Sequence, residues 1–96
     1  MKIEFDSAKN ERNIQERGIS FLDAELFDFD TAILVEDLRK DYGEKRLVAY
    51  GYIANRLHVL CFKPLDVDTL NALCIRVISL RKANKREEKF YAKNID

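Results

Sequence analysis

The chain predicts a small α+β domain: an antiparallel sheet preceded by two helices and followed by one, in the order β-α-α-β-β-β-β-α. Three observations carry this. Two helix-start signals fall within the first thirty residues, four segments between Thr31 and Leu80 read with the period of strands, and the stretch from Arg81 to Lys93 returns to helical composition. Ninety-six residues make one domain, 1–96, with a single modest core.

Lys2-Ile3-Glu4-Phe5-Asp6 alternates polar and apolar residues and is short, which suits an edge strand. Asp6 or Ser7 then caps a helix from about Ala8 to Arg17, and Gly18 stands where a left-handed C-terminal cap is wanted. Its apolar face is thin, so this helix must pack on something. Ser20 is a second N-cap, with Asp23 three residues on as a weak capping-box partner. Phe21, Ala24 and Phe27 predict a short helix to about Asp28 that presses two rings into the core.

Thr31 to Glu36 reads as the next strand, Asp37 to Glu44 as a polar loop, and Arg46 to Tyr52 as a further strand. Ile53-Ala54-Asn55-Arg56 is a short hairpin turn in which Asn55 suits a special backbone angle. Leu57 to Lys63 runs back and Pro64 stops it; Leu65 to Leu70 is a connection of open shape. Cys74 to Leu80 is β-rich enough for a central strand. In the closing helix Ala83, Glu87, Phe90 and Tyr91 share one face.

Charge is split along the chain. Residues 1–75 carry ten basic and fourteen acidic side chains, whereas residues 76–96 carry seven and three. Local sign decides what a surface attracts, so the basic terminus points to a polyanion or an acidic protein partner. The N-terminus has no apolar run of signal-peptide length and no segment approaches the length of a membrane span, so a cytoplasmic protein without membrane contact is expected. Cys61 and Cys74 sit in apolar surroundings as small hydrophobes. With His58 they do not supply the grouped ligands of a zinc site, and neither a metal nor another cofactor is expected.

Strict period two puts Arg76, Ile78 and Leu80 on one side of the last strand and Ile75, Val77, Ser79 and Arg81 on the other, although Arg81, at the strand's exit, need not follow the alternation. An arginine fixed on a strand among apolar neighbours needs a carboxylate or a ligand phosphate. For Arg76 both stay open. His58, inside a strand, reads as a hydrogen-bonded strand histidine, and the scattered Gly18, Gly43 and Gly51 form no phosphate-cradling loop. Glu44 and Arg46 read as a local polar network. The remaining chemistry needs only cations, a carboxylate and a phenol, which suits RNA cleavage through the 2′-hydroxyl: Arg and Lys stabilise the phosphorane, while Glu87 or Tyr91 shares proton transfer.

The order of residues adds to this. Phe5-Asp6-x-x-Lys9-x-x-x-Asn13, Gly18-Ile19-Ser20-Phe21-x-x-Ala24-x-x-Phe27, Gly43-Glu44-x-Arg46, Gly51, and Ile75-Arg76-Val77-Ile78-Ser79-x-Arg81-x-Ala83 with Glu87 or Glu88 and Tyr91 together resemble the BrnT family of toxins from bacterial type II toxin-antitoxin systems. The similarity spans residues 3–91. It implies a RelE-like ribonuclease that blocks translation by cleaving RNA, and a BrnA antitoxin partner whose DNA-binding domain lets the complex repress its own operon. The toxin would meet operator DNA only through that partner.

Under this resemblance Arg76, Arg81, Glu87 and Tyr91 form the catalytic set, with the two arginines holding phosphate; the structural alternatives are Glu87 as the counter-ion of Arg76 or Arg81 and Tyr91 as a core ring with its hydroxyl at the surface. Lys9 and Arg17 contribute from the first helix, and Arg46, Lys82, Lys85 and Arg86 complete the RNA-binding charges. Asn13 orients a neighbour. Two departures stand out: Glu16-Arg17-Gly18 replaces the family's Lys-His-Gly, and Leu80 replaces the alanine of its Arg-Ile-Ile-Ser-Ala-Arg-x-Ala segment. Arg17 keeps a cation but cannot act as a neutral imidazole base. The alternative is therefore a catalytically impaired member that serves as the antitoxin's partner in an autorepressing complex. A general RNA-binding module is a weaker rival, because the glycine-and-aromatic strand motif of sheet-based RNA binders is missing.

Overall fold

The computed structural model describes residues 1–65 and 74–95. The elements are β1 (Lys2–Glu4), α1 (Ser7–Arg17), a 3-10 helix (Phe21–Leu26), β2 (Ile33–Glu36), β3 (Leu47–Ile53), β4 (Arg56–Pro64), β5 (Cys74–Lys82) and α2 (Lys85–Asn94). This is the α+β order that the sequence predicts, and the connection expected over Leu65–Leu70 lies outside the described residues after Leu65.

Strands β2 to β5 form the antiparallel meander, but β1 joins it in parallel, so the sheet is mixed, with spatial order β1-β5-β4-β3-β2. Lys2–Glu4 pairs only with the first residues of β5, Cys74 to Arg76. Beyond that point α1 takes over along β5. Buried Asn13 donates from Nδ2 to Leu80 O at 2.8 Å and to Ile19 O at 2.9 Å, tying α1, the following loop and the strand together.

Local chemistry sets these elements. Asp6 accepts from the backbone N–H of Ala8 and Lys9, and Gly18 ends α1 in the left-handed region at φ 71°. The second helix is a tight 3-10 segment, shorter than the span to Asp28: Ser20 caps it through Leu22 N, and Phe27 leaves it extended. That exit sends Phe27 beneath Gly51, whose lack of a side chain is required, since a Cβ there would stand 2.6 Å from the Phe27 ring. In the β3–β4 turn Ala54, and not Asn55, takes the positive φ of 54°. The closing helix starts only at Lys85 because Asn84 and Glu87 form a reciprocal capping box, leaving Arg81 and Lys82 on β5.

The two faces of the sheet have different cores. On the back, Phe21, Ala24 and Phe27 pack against Ala49, Leu60, Phe62, Ile75, Val77 and Leu80. On the front, Leu57 and Val59 meet Ala83 and Tyr91, flanked by Ile33, Val48 and Tyr50. α2 covers only one end of the front. β4 is buried on both sides for six consecutive residues, which is why it reads as a continuous apolar run.

Period two fails in the middle of β5. Phe62 pairs with Val77 and Cys61 with Ser79, so Ile78 is an extra, unpaired residue. Such a bulge inverts the phase of the residues beyond it. Ile75, Val77 and Leu80 consequently all enter the back core, while Arg76, Ser79 and Arg81 all face the front. Strict alternation would put Leu80 beside Arg76 and Arg81 opposite it; this single residue sends Leu80 to the back core and lets Arg81, at the strand's exit, share the face of Arg76.

Asn13→Ala strips two buried carbonyls of their donor and is expected to destabilise the fold by roughly 2–4 kcal/mol, read as a lower urea midpoint at unchanged m-value.

Candidate functional site

The open end of the front face is a cleft of about 320 Å³. Its floor follows from register: Val35 pairs with Val48, Val48 with Cys61 and Cys61 with Ser79, four small side chains in one row. The neighbouring row is Tyr50, Val59 and Arg81. Glu87 of α2 stands at one wall and the Asp37-Leu38-Arg39 segment at the other.

Each wall presents a guanidinium held by a carboxylate. Arg81 Nη1 and Nη2 donate to the two Glu87 oxygens at 2.7 Å each, a bidentate fork. Glu87 Oε1 also accepts from Asn84 N at 2.9 Å, so the residue that starts α2 aims the arginine. The pair is mostly sheltered, with side-chain exposures of 32% for Arg81 and 16% for Glu87. The Arg81 hydrogen bonds hold the Glu87 carboxyl below its usual range, and Glu87 in turn raises the guanidinium.

Asp37 does the same for Arg39. Its carboxylate is only 1% exposed and accepts from Arg39 Nε at 2.9 Å, Arg39 Nη2 at 2.8 Å, the Tyr42 hydroxyl at 3.0 Å and Arg39 N at 3.2 Å. Hydrogen bonds from Arg39 drive its pKa far below the carboxylate range against the opposing effect of burial. The Arg39 side chain itself remains 77% exposed at the rim. Both carboxylates are engaged by arginine at both oxygens and held below their ordinary range, which weakens each as a base.

The matching family model is that of the ribonuclease toxin, BrnT, of type II toxin-antitoxin systems, over residues 5–87. The chain belongs to the BrnT family. No curated protein matches it. The β-α-α-β-β-β-β-α order, with its 3-10 second helix, is the RelE-like arrangement of that family, and the chain is a toxin of this type, which implies an antitoxin partner. The matched span ends at Glu87 and so includes both guanidinium pairs, while Tyr91 falls beyond it.

The BrnT-like residues singled out from sequence do not form one constellation. Arg81 and Glu87 meet in the cleft. Arg76 shares their face but turns to Glu4, with Nε to Oε1 at 2.9 Å, and both side chains are about half exposed. Tyr91 is buried in the front core, edge-on to Tyr52, and its hydroxyl donates to Thr31 O at 2.7 Å. Lys9 and Arg17 line an adjoining groove with Arg12, Ile78 and Ser79. Ser79 belongs to both hollows, joining the α1 groove to the cleft.

The other cations lie apart. Arg46 stacks on Tyr42 at 4.0 Å and pairs with Glu44, which also reaches Lys63. Lys82 and Arg86 are exposed at the β5–α2 corner, and Lys85 borders a separate groove with Tyr52, Arg56 and Lys89. His58 is buried with Nδ1 2.8 Å from Arg56 O. Its phase places it on the back, opposite to Cys61, and the two cysteines form no disulfide. Burial raises the Cys61 thiol. Among the described residues no cluster of three or more metal-ligand side chains occurs and no helix is long and apolar enough to cross a membrane.

Asp37, Arg39, Tyr50 and Ser79 are the cleft residues that sequence reasoning passed over as site groups. A usable signal was present for two of them: Asp37 and Arg39 are spaced so that a loop carboxylate can grip a guanidinium two residues on.

Both site carboxylates have folded pKa values below their ordinary 3.8 (Asp37) and 4.5 (Glu87). Their contribution to stability is complete above those values and is lost as pH falls through the depressed folded ones. The urea midpoint should hold from pH 7 to about 5 and fall below pH 4.5, and the gap between wild type and Asp37→Asn should narrow below pH 3.8. A gap constant down to pH 2.5 would contradict the assignment for Asp37.

Proposed function

We propose that this toxin is a metal-independent endoribonuclease that inhibits translation by cleaving RNA through its 2′-hydroxyl, and that a BrnA-like antitoxin neutralises it. The observation that carries this reading is the Arg81–Glu87 fork in an open cleft opposite Arg39. Two fixed guanidiniums facing one hollow suit a phosphodiester whose charge grows in the phosphorane, because they need no reorganisation as that charge develops.

In this reading Arg81 and Arg39 hold the scissile phosphate. Glu87 positions Arg81, since a carboxylate kept ionised by a bidentate arginine is a poor proton carrier. Lys9, Arg12 and Arg17 take the phosphates of the adjoining strand, which enters past Ser79. Arg76 is a secondary phosphate contact: its half-exposed pair with Glu4 contributes only about 0–1 kcal/mol, so a phosphate can displace the carboxylate. Arg46, Lys82, Lys85 and Arg86 act as steering charges or antitoxin contacts. Tyr91 anchors α2 through Thr31 and has no part in proton transfer.

The antitoxin would cover the cationic cleft with an acidic or amphipathic segment lying against α2, and operator DNA would be contacted through it. One observation favours a second reading, that of an impaired toxin kept as the antitoxin's partner. Arg17 stands where the resemblance has histidine, and both cleft carboxylates are committed to ion pairs.

Folded, partner-free protein should cut single-stranded RNA in the presence of a chelator. Arg81→Met should lower the rate by roughly 10²–10³-fold, the range for removing one preorganised donor. Arg39→Ala should lower it by about tenfold, or roughly 1.4 kcal/mol, measured below its own unfolding transition because the buried Asp37 carboxylate loses its main partner. Intact RNA from the folded wild type together with tight antitoxin binding would favour the impaired reading instead.

A further inference from the structure

The chemistry of RNA cleavage in this cleft lacks a group to move a proton, and the cleft contains one that the BrnT-like motif does not single out. Val59 is the register partner of Tyr50 on β3 and of Arg81 on β5. Tyr50 and Arg81 therefore flank it on the front face, two strand spacings or about 10 Å apart at Cα. Side chains of this length are long enough to reach a group held between them, and the Tyr50 phenol acts electrostatically on the Arg81 guanidinium. Both line the cleft.

The four tyrosines differ in what their hydroxyls do. Tyr42 gives its proton to Asp37 and Tyr91 to Thr31 O, while Tyr52 borders the groove beside Lys85. The Tyr50 hydroxyl makes no hydrogen bond among the described residues. It is also not a buried polar atom left without a partner, so it meets solvent. Its ring is fixed against Phe90, with centroids 5.0 Å apart at 57°. A rigid ring with an uncommitted, solvated phenol beside the phosphate-binding arginine has the form of a proton donor.

We propose that Tyr50 protonates the leaving 5′-oxygen during RNA cleavage, working across the scissile phosphate from Arg81; this rests on the ribonuclease reading. The 2′-oxygen attacks phosphorus, so that a P–O2′ bond forms as the P–O5′ bond breaks. The electron pair of the broken bond goes to the 5′-oxygen, which takes the phenolic proton, and the 2′-hydroxyl proton passes to water. The products are a 2′,3′-cyclic phosphate and a 5′-hydroxyl end, and the phenolate recovers its proton from water. Arg81 and Arg39 offset the charge on the non-bridging oxygens throughout.

Tyr50→Phe keeps the ring and its Phe90 contact while removing only the hydroxyl. It is to be compared with wild type in single-turnover cleavage of two RNAs, one with a normal linkage and one with a 5′-bridging sulfur, whose thiolate leaves without being protonated. The expected result is a loss of at least ~100-fold on the normal RNA. RNA affinity and urea midpoint should be unchanged, and the rate on the sulfur-bridged RNA should lie within a few-fold of wild type. Cleavage of normal RNA at the wild-type rate, or an equal loss on both substrates, would overturn the role of Tyr50. A folded wild type that cuts neither RNA would instead sink the ribonuclease reading on which it rests.

Discussion

One residue without a partner, Ile78, decides what β5 can do. Before it, Ile75 and Val77 face the back core; after it, Leu80 does the same, although strict alternation would send it forward. The bulge lets one strand anchor the main core at both ends and still present Arg76, Ser79 and Arg81 on the opposite face. Nearly everything else is hung on this strand. β1 pairs with its start, α1 takes the Leu80 carbonyl through Asn13, β4 runs along its length, and α2 is held to its end by Glu87. Leu80 sits fully buried at the point where the phase has just been inverted, so the larger side chain in this motif position fills the back core and leaves the cleft untouched.

A formally neutral protein can build a cationic site because its acids are spent holding its arginines in place. Glu87 fixes Arg81 and Asp37 fixes Arg39, each by two hydrogen bonds to one guanidinium. A carboxylate used in this way lowers the local charge but removes the entropy of a long flexible side chain, which favours orientation over raw attraction. It also makes that carboxylate a poor acid or base. In the proposed mechanism charge placement and proton transfer therefore fall to different residue types, arginines for the first and a tyrosine for the second.

Much of the fold is legible in the chain because its signals are local. Asp6 and Gly18 bracket α1, Ser20 starts the 3-10 helix, and short β-rich apolar runs between polar turns mark β2 to β5 to within a residue or two. The parallel pairing of β1 with β5 is not legible, since it joins segments some seventy residues apart. The bulge is hidden for a similar reason: Val77-Ile78-Ser79 reads as ordinary strand until β4 supplies the register. Of the site, Arg81 and Glu87 are visible as candidates but their pairing depends on the Asn84 cap. Tyr50 looks like one scattered aromatic among several because only cross-strand register puts it beside Arg81. Tyr91 is a phenol in a suggestive motif whose structural alternative, a core ring, matches its burial and its hydrogen bond to Thr31 O.

The central claim is that the scissile phosphate sits between the two walls of the front cleft. The most direct measurement is a crystal structure of the partner-free toxin with a short RNA carrying a 2′-deoxy substitution at the cleavage position, which binds but cannot react. The account predicts the scissile phosphate within about 3 Å of the Arg81 guanidinium, with the strand continuing past Ser79 toward Lys9 and Arg17. A phosphate bound instead in the groove beside Arg56, Lys85 and Lys89, with the front cleft empty, would contradict it.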